Sequence, residues 1–101
     1  MFVFSPEPGP DGATVYSRMF APGLGVHEDP ATGAASGPLG CYLVHHGLVP
    51  PEAAGTIVSH QGVKMSRPCR VHIRIGATDT EVTRVQVGGG SVVAGSGRLR
   101  L

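Results

Sequence analysis

From Gly33 to His46 the chain carries no Asp, Glu, Lys or Arg. Ala34, Ala35, Gly37, Gly40 and Cys41 are small, while Leu39, Leu43 and Val44 spread apolar surface around the helix that this run predicts. A helix with no charged face must be covered on most of its sides. Glycines and Pro38 inside it cost stability unless something packs close against them. The segment is therefore expected to be the central rod of the domain, with a sheet wrapped around it. Gly47 is placed to end the helix in a left-handed conformation, and His45 and His46 suit the negative end of its dipole.

The rest of the chain reads as strands. Met1 to Phe4 is a short one. Thr14 to Phe20 alternates, with Val15, Ser17 and Met19 on one face. Gly55 to Gln61 is the next, and Cys69 to Ile75 sets Val71, Ile73 and Ile75 against Arg70, His72 and Arg74. Thr80 to Val87 and Ser91 to Leu101 complete the set, the last ending Leu99 and Leu101 against Arg98 and Arg100. Gly76 to Asp79 and the triplet Gly88-Gly89-Gly90 are hairpin-length connections, which predicts an antiparallel meander for the last three strands. Ala21 to Ala31, with Pro22, Gly23, Gly25 and Pro30, reads as loop. The fold class is α+β: a curved, mostly antiparallel sheet of about six strands around one helix.

A length of 101 residues allows one small domain with a modest core. Glycine and proline together reach about a quarter of the chain, yet they sit between cleanly alternating segments, which favours order over disorder. The net charge of +1, with basic residues scattered singly, predicts no basic stripe and neither nucleic acid nor a membrane as partner. Met1 to Phe4 lacks the basic start and long apolar run of a signal peptide, and no run approaches a membrane span. Cys41 and Cys69 match no metal spacing and suit a reduced, cytoplasmic setting. Cys41 lies mid-helix, where the dipole does not activate a thiol, so both cysteines read as structural.

Chemistry concentrates in Glu28-Asp29-Pro30-Ala31-Thr32-Gly33-Ala34-Ala35. This loop delivers a carboxylate to a helix N-terminus, whose first N–H groups have no intrahelical partner and attract anions. An acid/base group beside such a cradle suits a small carboxylate substrate. Asp29 serves equally well as a structural tie or cap, and Thr32 is expected to cap the helix through its side chain. Gly33 and Ala34 permit close approach. His27, His45, His46, His60 and His72 fit no zinc pattern, so no metal is expected. His60 and Gln61 read as an ordinary polar pair at a strand end.

These residues carry a resemblance. The Glu28 to Ala35 string, then Gln61-Gly62 with Arg67-Pro68, then Val87-Gly88-Gly89 and Gly95 to Leu101, resemble the PhzF-like phenazine-biosynthesis family, which shares the diaminopimelate epimerase fold. The match runs from about Thr14 to Leu101 and is similar to the C-terminal half of such proteins. The resemblance implies two similar halves with the active site between them, and proton-shifting isomerase chemistry that needs no cofactor. The member that names the family isomerises a dihydro-hydroxyanthranilate. The resemblance also implies a catalytic role for Asp29 and substrate contacts from backbone groups at Gly33 and its neighbour; the helix start Thr32, Gly33, Ala34 and Ala35 is expected to hold a carboxylate or other polar group of the substrate. Ala34 departs from the serine frequent there, so only its backbone N–H remains.

The principal acid/base glutamate and a Gly-His motif belong to the family's N-terminal half and have no counterpart here; Glu28 occupies a different place in the pattern. Residues 1–101 are thus expected to form a single half-domain, incomplete without an N-terminal half. A homodimer, or pairing with a separate N-terminal half, would cover the exposed cleft face. The alternative is a non-catalytic binding or remnant module that self-associates through the same face.

Overall fold

In the computed structural model the described residues are 1–7, 9, 11–78 and 81–101. The six strands are β1 (Phe2–Ser5), β2 (Val15–Ala21), β3 (Val26–Asp29), β4 (Ile57–Gln61), β5 (Cys69–Ala77) and β6 (Val82–Gly88). One helix, α1 (Gly33–His45), lies between β3 and β4. The sheet runs β1-β2-β4-β5-β6, with β3 also on β2. All pairings are antiparallel except β2 with β4. The expected α+β class, with one helix against a mostly antiparallel sheet, is what forms.

Period-two alternation sets the core. Val15 on β2, Ile57 on β4 and Val71, Ile73 and Ile75 on β5 face α1, where they meet Leu39 and Leu43. Each of these large side chains contributes about 1.5–3 kcal/mol by leaving water. Gly37 and Gly40 permit this contact. A Cβ on Gly40 would lie 2.5 Å from Ile73 Cγ2 and 2.9 Å from Ile75 Cδ1, and one on Gly37 would lie 3.2 Å from Val85 Cγ1. Gly47 has φ of +66° and donates to the Val44 carbonyl, ending the helix as its position predicts.

Four expectations change. The rod is covered on one side: Ala34, Pro38, Tyr42 and His45 form an exposed stripe at helical spacing. Ala21 to Ala31 is not all loop. A short turn at Pro22–Leu24 leads into β3, which pairs along the second half of β2. Cross-strand chemistry outweighs weak local propensity there, since Arg18 grips Glu28 with two hydrogen bonds of 2.9 and 3.0 Å. The expected strand Ser91 to Leu101 does not form. Residues 89–101 carry no regular structure and are exposed, with Val92, Val93, Leu99 and Leu101 at least 84% accessible. The glycine triplet does not reverse the chain, so the meander consists of β4, β5 and β6. In the β5–β6 connection, Asp79 and Thr80 lie outside the described residues.

The fourth change concerns charge. Residues scattered along the sequence converge on the sheet face turned away from α1. Arg70, His72 and Arg74 alternate outward on β5, and Arg84 and Gln86 share that face on β6. A basic stripe does form, because strand pairing gathers what linear spacing separates. No helix among the described residues is long and apolar enough to cross a membrane.

Candidate active site

The site arises from an unusual sharing of one strand edge. The first half of β2 pairs with β4, so Ser17 stands opposite Gln61; the second half pairs with β3, so Met19 stands opposite Asp29. Two residues of β2 thus bring the ends of β3 and β4 side by side. Gln61 is fully buried there. Its Nε2 donates to the Asp29 carbonyl at 2.8 Å and to Thr32 Oγ1 at 2.9 Å, and its Oε1 accepts from the Thr32 N–H at 3.2 Å.

Thr32 sits at the helix N-cap position with extended backbone, but its side chain makes no capping bond. The expected cap is replaced by a different contact: Thr32 Oγ1 donates to Asp29 Oδ2 at 2.6 Å. The hydroxyl is a relay, accepting from Gln61 and donating to the carboxylate. Both carboxylate oxygens are therefore aimed, one of them held.

The consequence falls on the helix start. The Ser36 N–H and Ser36 Oγ both turn to the Thr32 carbonyl, at 3.2 and 2.7 Å. The N–H groups of Gly33, Ala34 and Ala35 have no protein acceptor among the described residues. Gly33 and Ala34 are exposed and Ala35 is half-buried. A Cβ on Gly33 would meet nothing within 4 Å, and its φ is not positive. Neither packing nor backbone geometry within the chain requires glycine at this position. An incoming group that must touch the backbone would.

Gly33 and Ala31 line one wall of an open cavity of about 610 Å³, whose other wall includes Cys69, Val71, Val87 and Gly89. Asp29, Thr32, Ala34 and Ala35 do not line it; they stand beside its Gly33 wall. Gly62 locks the arrangement from below. Its φ is +77°, and a Cβ there would lie 2.3 Å from the Arg67 carbonyl oxygen and 2.9 Å from that of Pro30. The Gln61-Gly62 pair thus touches the Asp29-Pro30 loop through both residues.

Asp29, Thr32, Gly33, Ala34 and Ala35, the residues expected at the site, lie together at the start of α1, with Gln61 and Ser36 hydrogen-bonded into the same loop. Glu28 points elsewhere, to Arg18, which donates to both carboxylate oxygens and holds the carboxyl below its usual range. Across the sheet His60 pairs with Asp11. The Asp11 carboxyl lies below its ordinary value, chiefly because the Ala13 N–H donates to it, and that carboxylate pushes the Tyr16 phenol up. Among the described residues no three His, Cys, Asp or Glu side chains gather as a metal site would need.

The profile of the family described as phenazine biosynthesis-like protein matches residues 1–97. The chain is 42% identical over 85 residues to the trans-2,3-dihydro-3-hydroxyanthranilate isomerase of Pseudomonas chlororaphis, covering 84% of this chain and 30% of that protein. It is 33% identical over 93 residues to the uncharacterized isomerase YddE of Escherichia coli O157:H7, covering 91% and 31%. An uncharacterized isomerase of Clostridium acetobutylicum is 34% identical over 101 residues, covering 99% and 33%. The chain spans about a third of the length of these relatives. By the profile match and these identities, it belongs to the phenazine biosynthesis-like family.

Proposed function

We propose that this chain supplies one wall of a cofactor-independent isomerase active site, as the C-terminal half-domain of a PhzF-like protein. The substrate is a small carboxylate of the dihydro-hydroxyanthranilate type, the compound named for the Pseudomonas relative. The observation that carries the reading is the relay Gln61–Thr32–Asp29, which diverts the capping hydroxyl and leaves three backbone N–H groups open beside a held carboxylate.

The chemistry follows from that arrangement. The N–H groups of Gly33, Ala34 and Ala35 hold the substrate carboxylate at the positive end of the helix dipole. Asp29 faces the amino or hydroxyl group beside the reacting carbon and assists proton movement. Its orientation is fixed by Thr32, so little entropy is lost when substrate arrives. Proton removal and return at carbon need a positioned base, which a second half contributes across the cavity. The exposed apolar residues of 89–101 support such a partner, which would cover them. A homodimer that pairs the two cavity faces is the arrangement open to this chain by itself, in a cytoplasmic setting.

The test is thermal protection. 3-Hydroxyanthranilate is expected to raise the melting temperature of the chain, and Asp29→Ala is expected to abolish the gain. Protection equal in both proteins would leave Asp29 without a role. Gel filtration at micromolar concentration is expected to show a dimer, and a clean monomer would remove the homodimer from the account.

A further inference from the structure

We propose that the sheet face turned away from α1 holds a phosphoryl-type oxyanion, seated between Arg74, Gln86 and His72 in the gap left by Gly88. Arg74 and Gln86 set this site apart from the cavity at the helix start, with which it shares His72, Val87, Gly88 and Gly89 around the end of β6.

Register builds it. Arg74 stands directly opposite Gln86, and His72 stands opposite Gly88. Directly opposed side chains on one sheet face have Cβ atoms about 4.5–5.5 Å apart, and diagonal neighbours about 7–8 Å. Arg74, Gln86 and His72 therefore occupy three corners of one cross-strand square. The fourth corner is glycine, and the result is a depression of about 340 Å³ lined by these residues.

Nothing in the chain explains that glycine. A Cβ at Gly88 would meet nothing within 4 Å, and its φ is not positive. A β-branched residue would suit the strand better. What glycine secures is the opening itself.

The lining chemistry selects the occupant. The Arg74 guanidinium is a planar fork that matches two oxygens of an oxyanion, the Gln86 amide donates a third hydrogen bond, and the His72 imidazole donates a fourth. No carboxylate lines the depression. Arg84, diagonal to Arg74 on the same face, adds a second fixed charge. Neither arginine has a carboxylate partner among the described residues, whereas Arg18 does. Four donors around an open corner of the sheet suit a tetrahedral phosphoryl group better than a planar carboxylate.

The test uses the whole chain, ¹⁵N-labelled and titrated with inorganic phosphate against chloride at equal ionic strength. Saturable shifts are expected at the Arg74, Gln86 and Gly88 amides. Arg74→Gln, at an exposed position, is expected to weaken binding about tenfold, the value of one charge-assisted pair at a surface. Gly88→Val keeps every charge, fills the gap and is expected to abolish saturation; the same spectra report that each variant is folded. A parallel titration with glucose 6-phosphate distinguishes the sources: tighter binding than phosphate assigns a phosphate monoester, weaker binding assigns the free ion. Shifts that follow ionic strength without saturating, or phosphate binding unchanged in Gly88→Val, would overturn the site. Tight binding of a short single-stranded oligonucleotide without phosphate binding would also overturn it.

Discussion

Replacing Gln61 by methionine keeps the volume of a fully buried side chain and removes its three hydrogen bonds. The Asp29 carbonyl and the Thr32 N–H then lose their partner in a part-buried place. At about 0.5–1.5 kcal/mol net per hydrogen bond, the loss is roughly 1.5–4.5 kcal/mol, centred near 3. For a domain of this size each kcal/mol lowers the melting temperature by about 4–8 °C, so Gln61→Met is expected to melt roughly 12–24 °C lower. Urea unfolding followed by circular dichroism gives the free energy. The Thr32 amide resonance in a ¹⁵N spectrum reports the local change, which a loss of packing alone would not move. A loss below about 1 kcal/mol with the Thr32 resonance in place would refute the clamp and, with it, the argument that β2 edge-sharing builds the site.

Three further outcomes follow from particular contacts. Gly40→Ala improves intrinsic helix propensity by about 1 kcal/mol, yet its Cβ would lie 2.5 Å from Ile73 Cγ2; overpacking is expected to win, with a net loss of roughly 1–2 kcal/mol in urea unfolding. Gly33→Ala is the reverse case, because its Cβ meets nothing; stability is expected to hold or rise slightly while protection by 3-hydroxyanthranilate falls, and a destabilised variant with intact protection would contradict the reading. The Glu28 carboxyl titrates below its ordinary value of 4.5 in the folded chain because Arg18 donates to it. Its contribution is therefore full above pH 4.5 and is lost as pH falls through the depressed folded value. Glu28→Gln is expected to flatten the acid limb of stability against pH, and an unchanged slope would show that other carboxylates carry it.

Much of this architecture was legible in the sequence, for identifiable reasons. Strict alternation in Cys69 to Ile75 reports a half-buried strand, and Val71, Ile73 and Ile75 are buried as that pattern demands. Gly47 announced the helix end because its left-handed conformation is a local requirement. The helix start was legible too, since the small-residue run after Thr32 begins α1 at Gly33. What escaped was set by pairing across distance. Gln61 reads as an unremarkable strand end until β2 brings it beside Asp29, and the Gln61-Gly62 dipeptide was the available signal. Thr32 looked like a cap because local geometry favours it, but Asp29 three residues earlier competes for the same hydroxyl. The tail ends in the strand-like alternation Arg98-Leu99-Arg100-Leu101 yet pairs with no strand among the described residues, and pairing is what local sequence cannot report. The basic face followed the same rule: Arg74 and Arg84 are ten positions apart in sequence and near neighbours in the sheet.

In the proposed function the helix start is an anion cradle beside an oriented Asp29. Titrating the ¹⁵N-labelled chain with 3-hydroxyanthranilate and following the Gly33, Ala34 and Ala35 amides tests it most directly. Saturable downfield shifts are expected at all three, and are expected to vanish with the methyl ester, which lacks the carboxylate charge. Equal shifts with acid and ester, or shifts elsewhere while these three amides stay fixed, would contradict it.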